Sequence, residues 1–254
     1  MTEEELFFIV IGGHKCASTW LYDQLRRNPS VNMSAKKEIH FFSLHYNRGV
    51  EWYESHWSQL GGVRGEVSPS YYLSQFYLRR ILRYRPNCKF ILIKRDPYER
   101  AKSHVRHILR LDSKRDVCDI IVDRPEVFEN SDFSDAENFF NIIPCDQSKI
   151  IEYSDIEADG AAVLRDIEDF LNIAHFNYAE SEKKSGQAFS PRSVMIERLR
   201  NLIFTATYNS PRLHNALRSS SFLRWLKRLN SAGTFDAEVD MTELKRRFVD
   251  DDWR

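Results

Sequence analysis

Three short stretches hold residue types whose spacing can do chemistry on a phosphate-bearing ligand. In "FFIVIGGHKCASTW", Phe7 to Trp20, five apolar residues run into Gly12 and Gly13, then Lys15, Cys16, Ala17 and the hydroxyl pair Ser18-Thr19. The glycines let the backbone turn sharply and approach an anion closely. Ser18 and Thr19 stand where free backbone N–H groups and the positive end of a helix dipole would meet that anion. Lys15 adds a mobile point charge. In "FILIKRDPYERAKSHVRH", Phe90 to His107, an apolar strand ends at Lys94-Arg95 and Asp96-Pro97 opens a helix, a position that suits proline. Arg95 and Ser103 can converge on one anion, Arg95 through bidentate contact. His107 follows Ser103 by one helical turn on the same face. In "SAKKEIHFFS", Ser34 to Ser43, Lys37, Glu38 and His40 precede Phe41 and Phe42. Glu38 is there a candidate general base, its pKa raised by the adjoining apolar wall. Each stretch also has an ordinary reading: a strand–turn–helix corner, an amphipathic surface helix and a solvated Lys–Glu pair.

These side chains need a frame. Strands are expected at Phe7–Ile11, Val31–Met33, Val63–Val67, Lys89–Ile93 and Ile150–Tyr153, each short, β-branched or aromatic, and bounded by turn residues. Helical patterns at Ser18–Arg27, Tyr71–Tyr84, Pro97–Leu111 and Gly160–Leu171 alternate with them. The alternation predicts an α/β fold: βαβ units, a mostly parallel central sheet and helices on both faces, a three-layer α/β/α arrangement. Ligands bind such sheets beyond the carboxyl ends of the strands, where Ile11 and Ile93 lead into the first two motifs. Residues 112–141 read as an irregular excursion or lid, with eight acidic residues and one basic residue between Asp116 and Glu137. The part from about 192 to 254 reads as helical. "SSSFLRWLKRLN" forms a basic amphipathic helix, and Asp240 and Glu243 at capping-box spacing open a final one. With no repeat and no low-complexity linker, a single domain over 1–254 is the simplest count.

Composition narrows the partners. Lys+Arg and Asp+Glu both number 37, so no global basic field draws the chain to nucleic acid, and any anion site comes from local clustering. No segment has the roughly 20 apolar residues that span a bilayer. The acidic N-terminus, "MTEEELFFIVIGG", is no signal peptide. Cys16, Cys88, Cys118 and Cys145 form no CxxC pair and read as free thiols of a reducing cytoplasm. His14, Cys16, His40 and His45 lie in nearby loops, but their spacing matches no zinc pattern.

Together, the three motifs resemble the sulfotransferases that use 3′-phosphoadenosine 5′-phosphosulfate (PAPS), especially the branch with heparan sulfate and related bacterial enzymes. "GGHKCASTWL" is similar to the family's first motif, with Ala17 where Gly is common. "RDPYERAKSHVRH" is similar to its Arg–Asn/Asp-Pro motif, with a Ser eight residues after the Arg. "KKEIHFF" looks like the segment that supplies the catalytic base, and "GEVSPSYY", Gly65 to Tyr72, like a segment in which Val67 replaces a frequent Lys. "EKKSGQAFSPRS" loosely resembles the late basic loop over the cofactor's 3′-phosphate.

The resemblance implies a P-loop-like fold without the triphosphatase loop. It places Gly13, Lys15, Cys16, Ala17, Ser18, Thr19 and Trp20 around the 5′-phosphosulfate. Arg95 and Ser103 go to the 3′-phosphate, with Lys184, Ser185 and Gly186 closing over it. Lys15, Glu38 and His107 would be catalytic, and no metal is required. In other branches a histidine is the base, so His40 and His107 stand beside Glu38 as candidates.

The product would be 3′-phosphoadenosine 5′-phosphate (PAP). The acceptor would be a small molecule, a glycan or a lipid-like alcohol, against an aromatic wall of Phe41, Phe42, Tyr71 and Tyr72. The acidic stretch argues against a polyanionic glycan. Two rivals stand apart. A P-loop kinase-like phosphotransferase predicts GxxxxGK[ST] and an acid at a later strand end, where Lys94-Arg95 stands instead. A non-catalytic nucleotide-binding module keeps the fold alone.

Overall fold

Strands that read as near-continuous apolar runs are strands covered on both faces, and β1 (Phe7–Gly12) is buried along its whole length. The computed structural model describes residues 6–57, 61–112, 115–178, 189–191, 202–203, 220, 231–234 and 239–249. Two compact units divide the chain: 1–101 with 128–186 and residue 254, and 102–127 with 187–253.

In the first unit β1 joins β2 (Val31–Met33), β3 (Val63–Val67), β4 (Lys89–Lys94) and β5 (Ser148–Glu152) in a parallel sheet of order β2-β3-β1-β4-β5. Ile9 lies opposite Glu66 on one side and Phe90 on the other. From β1 the chain runs outward to β2, returns through β3, then crosses to β4 on the far side of β1. The carboxyl end of β1 is therefore a topological switch point, the place where such sheets bind ligands.

Helices α1 (Ser18–Leu25), α2 (Val50–Glu54), α3 (Gln75–Tyr84), α4 (Pro97–Leu111), α5 (Val117–Asp123), α6 (Glu126–Glu129), α7 (Ser134–Phe140) and α8 (Tyr153–Leu171) follow in sequence. Leu21 and Leu25 of α1, Leu78 and Ile81 of α3, Phe139 of α7 and Leu164 and Ile167 of α8 share one core with Phe8, Ile9, Ile91 and Ile93. Each such aliphatic or aromatic side chain stabilises by about 1.5–3 kcal/mol when fully buried.

Several boundaries differ from the sequence expectation, each for a local reason. α1 ends at Leu25 rather than Arg27, because Arg27 and Asn28 turn back on Gln24 and Leu25. The helix expected over Tyr71–Tyr84 is broken at Ser74, which is extended (φ −159°) and caps α3 by accepting from Phe76 N–H. β5 begins and ends earlier than Ile150–Tyr153. α8 starts at Tyr153 rather than Gly160, with a kink at Asp159 (φ −152°) whose carboxylate accepts from Ala162 N–H at 2.9 Å. The helical pattern expected from Gly160 is therefore the second half of a helix already under way.

The irregular reading of 112–141 is corrected: α5, α6 and α7 lie there. Asp116 caps α5 by accepting from Cys118 N–H at 2.7 Å, and Val117, Ile120 and Ile121 are buried. The charge of the segment masked an amphipathic period.

In the second unit, β6 (Phe189–Pro191) and β7 (Ser231–Thr234) pair antiparallel, so the part from 192 onward is not wholly helical. The basic helix expected around residues 219–230 lies outside the described residues, apart from residue 220. The last described helix, Thr242–Val249, is the expected one. Asp240 accepts from Thr242 N–H, but Glu243 pairs with Arg246 and Arg247 instead of completing the box. No described helix is long and apolar enough to cross a membrane.

Candidate active site

The turn after β1 is a tight anion cradle. Gly13 is closely hemmed: a Cβ there would stand 2.7 Å from the Phe133 ring and 3.1 Å from Ile93 O, so only glycine fits. Lys15 (φ 64°) and Ala17 (φ 62°) both hold left-handed backbone. Ala17 is the residue before α1 and brings no capping side chain, and the first helical bond is Leu21 N–H to Ala17 O at 3.0 Å. The N–H groups of Ser18, Thr19 and Trp20 thus precede the ladder, the arrangement that accepts an anion.

Ser18 is buried, Thr19 is exposed, and Trp20 packs on Gly160 of α8, where a Cβ would stand 2.9 Å from the indole. Cys16 contributes backbone only. Burial pushes its thiol up to about 12, and its Sγ donates to His14 O.

Cations gather under this turn. Arg95 at the end of β4 donates from Nη1 to Lys15 O at 3.2 Å and stacks over Tyr153 at 4.1 Å. It therefore shapes the cradle as well as lending charge. Arg100, which sequence reading passed over as a surface helix residue, is fully buried; its Nε donates to Ser131 Oγ at 2.7 Å, and Ser131 Oγ donates in turn to Pro97 O. Its charge is felt at both His14 and Cys16. The only trace in the sequence is an arginine five residues after Arg95, a spacing that ordinary surface helices share. Lys94 pairs with Glu137 and stands 4.0 Å from Glu152.

Glu38 faces the same cradle. The His14 ring is under the field of Glu38, His40, Lys37 and Arg100, while burial, the dominant effect, holds its pKa down at about 4. Glu38 itself corrects the expectation of a raised pKa. Burial does push it up, but His40 and Lys37 outweigh burial and leave the carboxyl well below its ordinary range. Lys37 Nζ is in direct contact with Glu38 Oε1, and His40 Nε2 lies 3.8 Å from Oε2. The apolar wall is absent because Phe41 and Phe42 point into the core, 1 % and 0 % exposed. Tyr71 and Tyr72, at 0 %, join them there, so the expected aromatic acceptor wall is a buried cluster instead. Among the described residues, Tyr46 and Phe76 are the exposed aromatics, with Arg80 lying over both rings.

Lys36, not singled out by sequence, is buried and its amine is pushed down to about 7 by that burial, with Glu38 opposing the shift. Val67, where the resemblance has a Lys, is fully buried; its carbonyl accepts from Glu38 N–H at 2.8 Å.

The unit boundary falls within α4 after Ala101, so Ser103 and His107 belong to the second unit, and their convergence with Arg95 stays a helical-spacing expectation. His107 Nδ1 lies 2.7 Å from Arg110 Nη2. Arginine can only donate, so that nitrogen accepts and Nε2 carries the proton of a neutral ring. Lys184, Ser185 and Gly186 lie outside the described residues.

A parallel sheet with a glycine turn, helix N-terminus and cation cluster at its switch point is an arrangement suited to a phosphate-bearing ligand. The family model described as "Sulfotransferase family" matches residues 63–177. The membrane-associated sulfotransferase kil1 of Dictyostelium discoideum is 24% identical over 74% of this chain and 59% of its own length. Human heparan sulfate glucosamine 3-O-sulfotransferase 5 is 24% identical over 65% and 53%. The chain spans between half and three-fifths of the length of these two relatives. Among solved structures, a sulfotransferase from Alicyclobacillus acidocaldarius superposes with TM-score 0.63 at 19% identity, covering 83% of this chain and 96% of that one. Over residues 63–177, and in these relatives, the chain is similar to sulfotransferases.

Proposed function

We propose that the chain transfers the sulfuryl group of PAPS to a hydroxyl or amine of an acceptor, leaving PAP. The observation that carries this reading is the meeting of two loops, one after β1 and one after β2. One is the cradle of Lys15 and the α1 N-terminus; the other presents the ionised Glu38, whose field reaches His14 in that cradle. Bound PAPS supplies an activated sulfuryl group on a phosphate leaving group.

Lys15 is placed to neutralise charge developing on the bridging oxygen, a preorganised electrostatic role. The N–H groups of Ser18, Thr19 and Trp20 orient the 5′-phosphate, and Arg95 takes the 3′-phosphate. Glu38 removes the acceptor proton. It is ionised without prior deprotonation, and it acts through Oε2, because Lys37 holds Oε1. The strand-end Lys94 and Arg95 stand where a kinase-like phosphotransferase would place its metal carboxylate, which favours the sulfuryl reading over that rival.

The names of two relatives carry heparan sulfate and that of a third a membrane association. A glycan or lipid-linked acceptor therefore heads the candidates. The test is sulfur-35 transfer from labelled PAPS to a panel of desulfated heparan chains, p-nitrophenol and a long-chain alcohol, with Lys15→Ala as control. Transfer to one member, abolished by Lys15→Ala, supports the proposal. Hydrolysis of ATP with no labelled product from any member overturns it.

A further inference from the structure

Glu66 is a carboxylate with no exposed surface in the middle of a parallel sheet, opposite Ile9 of β1. Its Oε1 accepts from Ser68 Oγ at 2.5 Å and from Tyr71 OH at 2.9 Å, and its Oε2 accepts from Tyr53 OH. A hydroxyl has one proton. Giving that proton to Glu66 turns the oxygen's lone pairs outward as acceptors.

Both outward-turned oxygens meet the loop that carries Glu38. Ser68 Oγ accepts from His40 N–H at 3.2 Å, and Tyr71 OH accepts from Phe42 N–H at 3.3 Å. These two amides bracket the C-terminal side of a strained turn in which Glu38 (φ 63°) and His40 (φ 54°) hold left-handed backbone. Side-chain-bearing residues keep that conformation only when their surroundings over-determine it. The adjoining Tyr72 OH donates to Asn130 O.

We propose that Glu66 is a positioning residue of the reaction: through Ser68 and Tyr71 it fixes the Glu38 loop against the phosphate cradle. This rests on the sulfuryl-transfer reading above, with Glu38 as base. Tyr53 supplies an internal control, because it donates to the same carboxylate, is equally buried and bonds to no amide of the loop. A hub that served folding alone would treat the three hydroxyls alike.

The experiment compares Ser68→Ala, Tyr71→Phe and Tyr53→Phe by three readouts: amide hydrogen exchange over residues 38–44, PAP affinity, and PAPS turnover. Turnover is measured with the acceptor that the panel identifies or, failing that, as hydrolysis of PAPS to PAP and sulfate. Ser68→Ala and Tyr71→Phe should speed exchange in the loop and lower kcat by up to about 10²-fold, the cost of misplacing a reacting group by about 1 Å. KM for PAPS and PAP affinity should hold, and Tyr53→Phe should change none of the three. Equal effects of Tyr53→Phe and Tyr71→Phe, or unaltered loop exchange in Ser68→Ala, would overturn the proposal. If the wild type neither binds PAP nor turns over PAPS, the functional reading fails on its own, while the exchange comparison still decides whether the hub holds the loop.

Discussion

Glu38, the proposed base, is ionised and in contact with a lysine, and that pairing sets how its removal would be felt. Glu38→Gln should leave PAP binding intact and cost about 10²–10⁴-fold in turnover, the usual contribution of a general base; steady-state kinetics beside a PAP titration checks both halves. Lys37→Met tests the electrostatics. With the cation gone, burial pushes the carboxyl up against less opposition, so the acidic limb of the pH–rate profile should move to higher pH. An unmoved limb would assign that limb to another group.

Lys36 gives a stability prediction of definite sign. Its pKa falls from 10.5 to about 7 on folding, so between those values the unfolded chain binds more protons, and stability rises with pH through that window. Lys36→Met should flatten that rise and stabilise the protein more at pH 7 than at pH 10, as denaturant midpoints would report. Glu38 and Arg95 were legible in the sequence because their motifs have fixed spacing. Lys36, Arg100 and Glu66 were not, since nothing local distinguishes a buried charge from a surface one. Only the packed sheet shows that Arg100 lies beneath the cradle or that Glu66 accepts three hydroxyls.

At the scale of elements, the cradle departs at one position from the sulfotransferase motif it resembles and bears the consequence there. Ala17 occupies φ 62° where glycine is common, and left-handed backbone costs a side-chain-bearing residue about 1–2 kcal/mol. Glycine is free of that strain but gives back about 0.5–1 kcal/mol through the entropy of the unfolded chain. Ala17→Gly should therefore raise stability by about 0.5–1 kcal/mol, read as a higher midpoint in urea; a loss would mean that the methyl group packs in a way that outweighs the strain.

The strands were placed from sequence within a few residues, because apolar runs bounded by turns have few alternatives. The helices of 117–140 were missed because their charge hid the buried stripe of Val117, Ile120, Ile121 and Phe139. The start of α8 was placed late, at Gly160, because only tertiary context extends the helix back across the kink at Asp159 to Tyr153.

At the scale of the molecule, sheet order converts scattered motifs into one site. Because β1 lies between β3 and β4, the glycine turn, the Glu66–Tyr72 segment and Lys94-Arg95 leave the sheet side by side, although they are separated by tens of residues in the chain. The parallel α/β class was open to sequence reasoning through strand–helix alternation. The division into two units within α4 was not, as an uninterrupted helical period carries no mark of a boundary.

The central claim is a site that distinguishes a 3′-phosphorylated adenosine nucleotide from an ordinary one. Thermal unfolding with PAP against ADP at equal concentration tests it most directly. A ligand at a hundred times its dissociation constant stabilises by about 2.7 kcal/mol, a shift of roughly 5–10 °C for a chain of this size. PAP should give that shift and ADP little, and Arg95→Ala should lose it. Equal shifts with both nucleotides, or none with PAP, would contradict it.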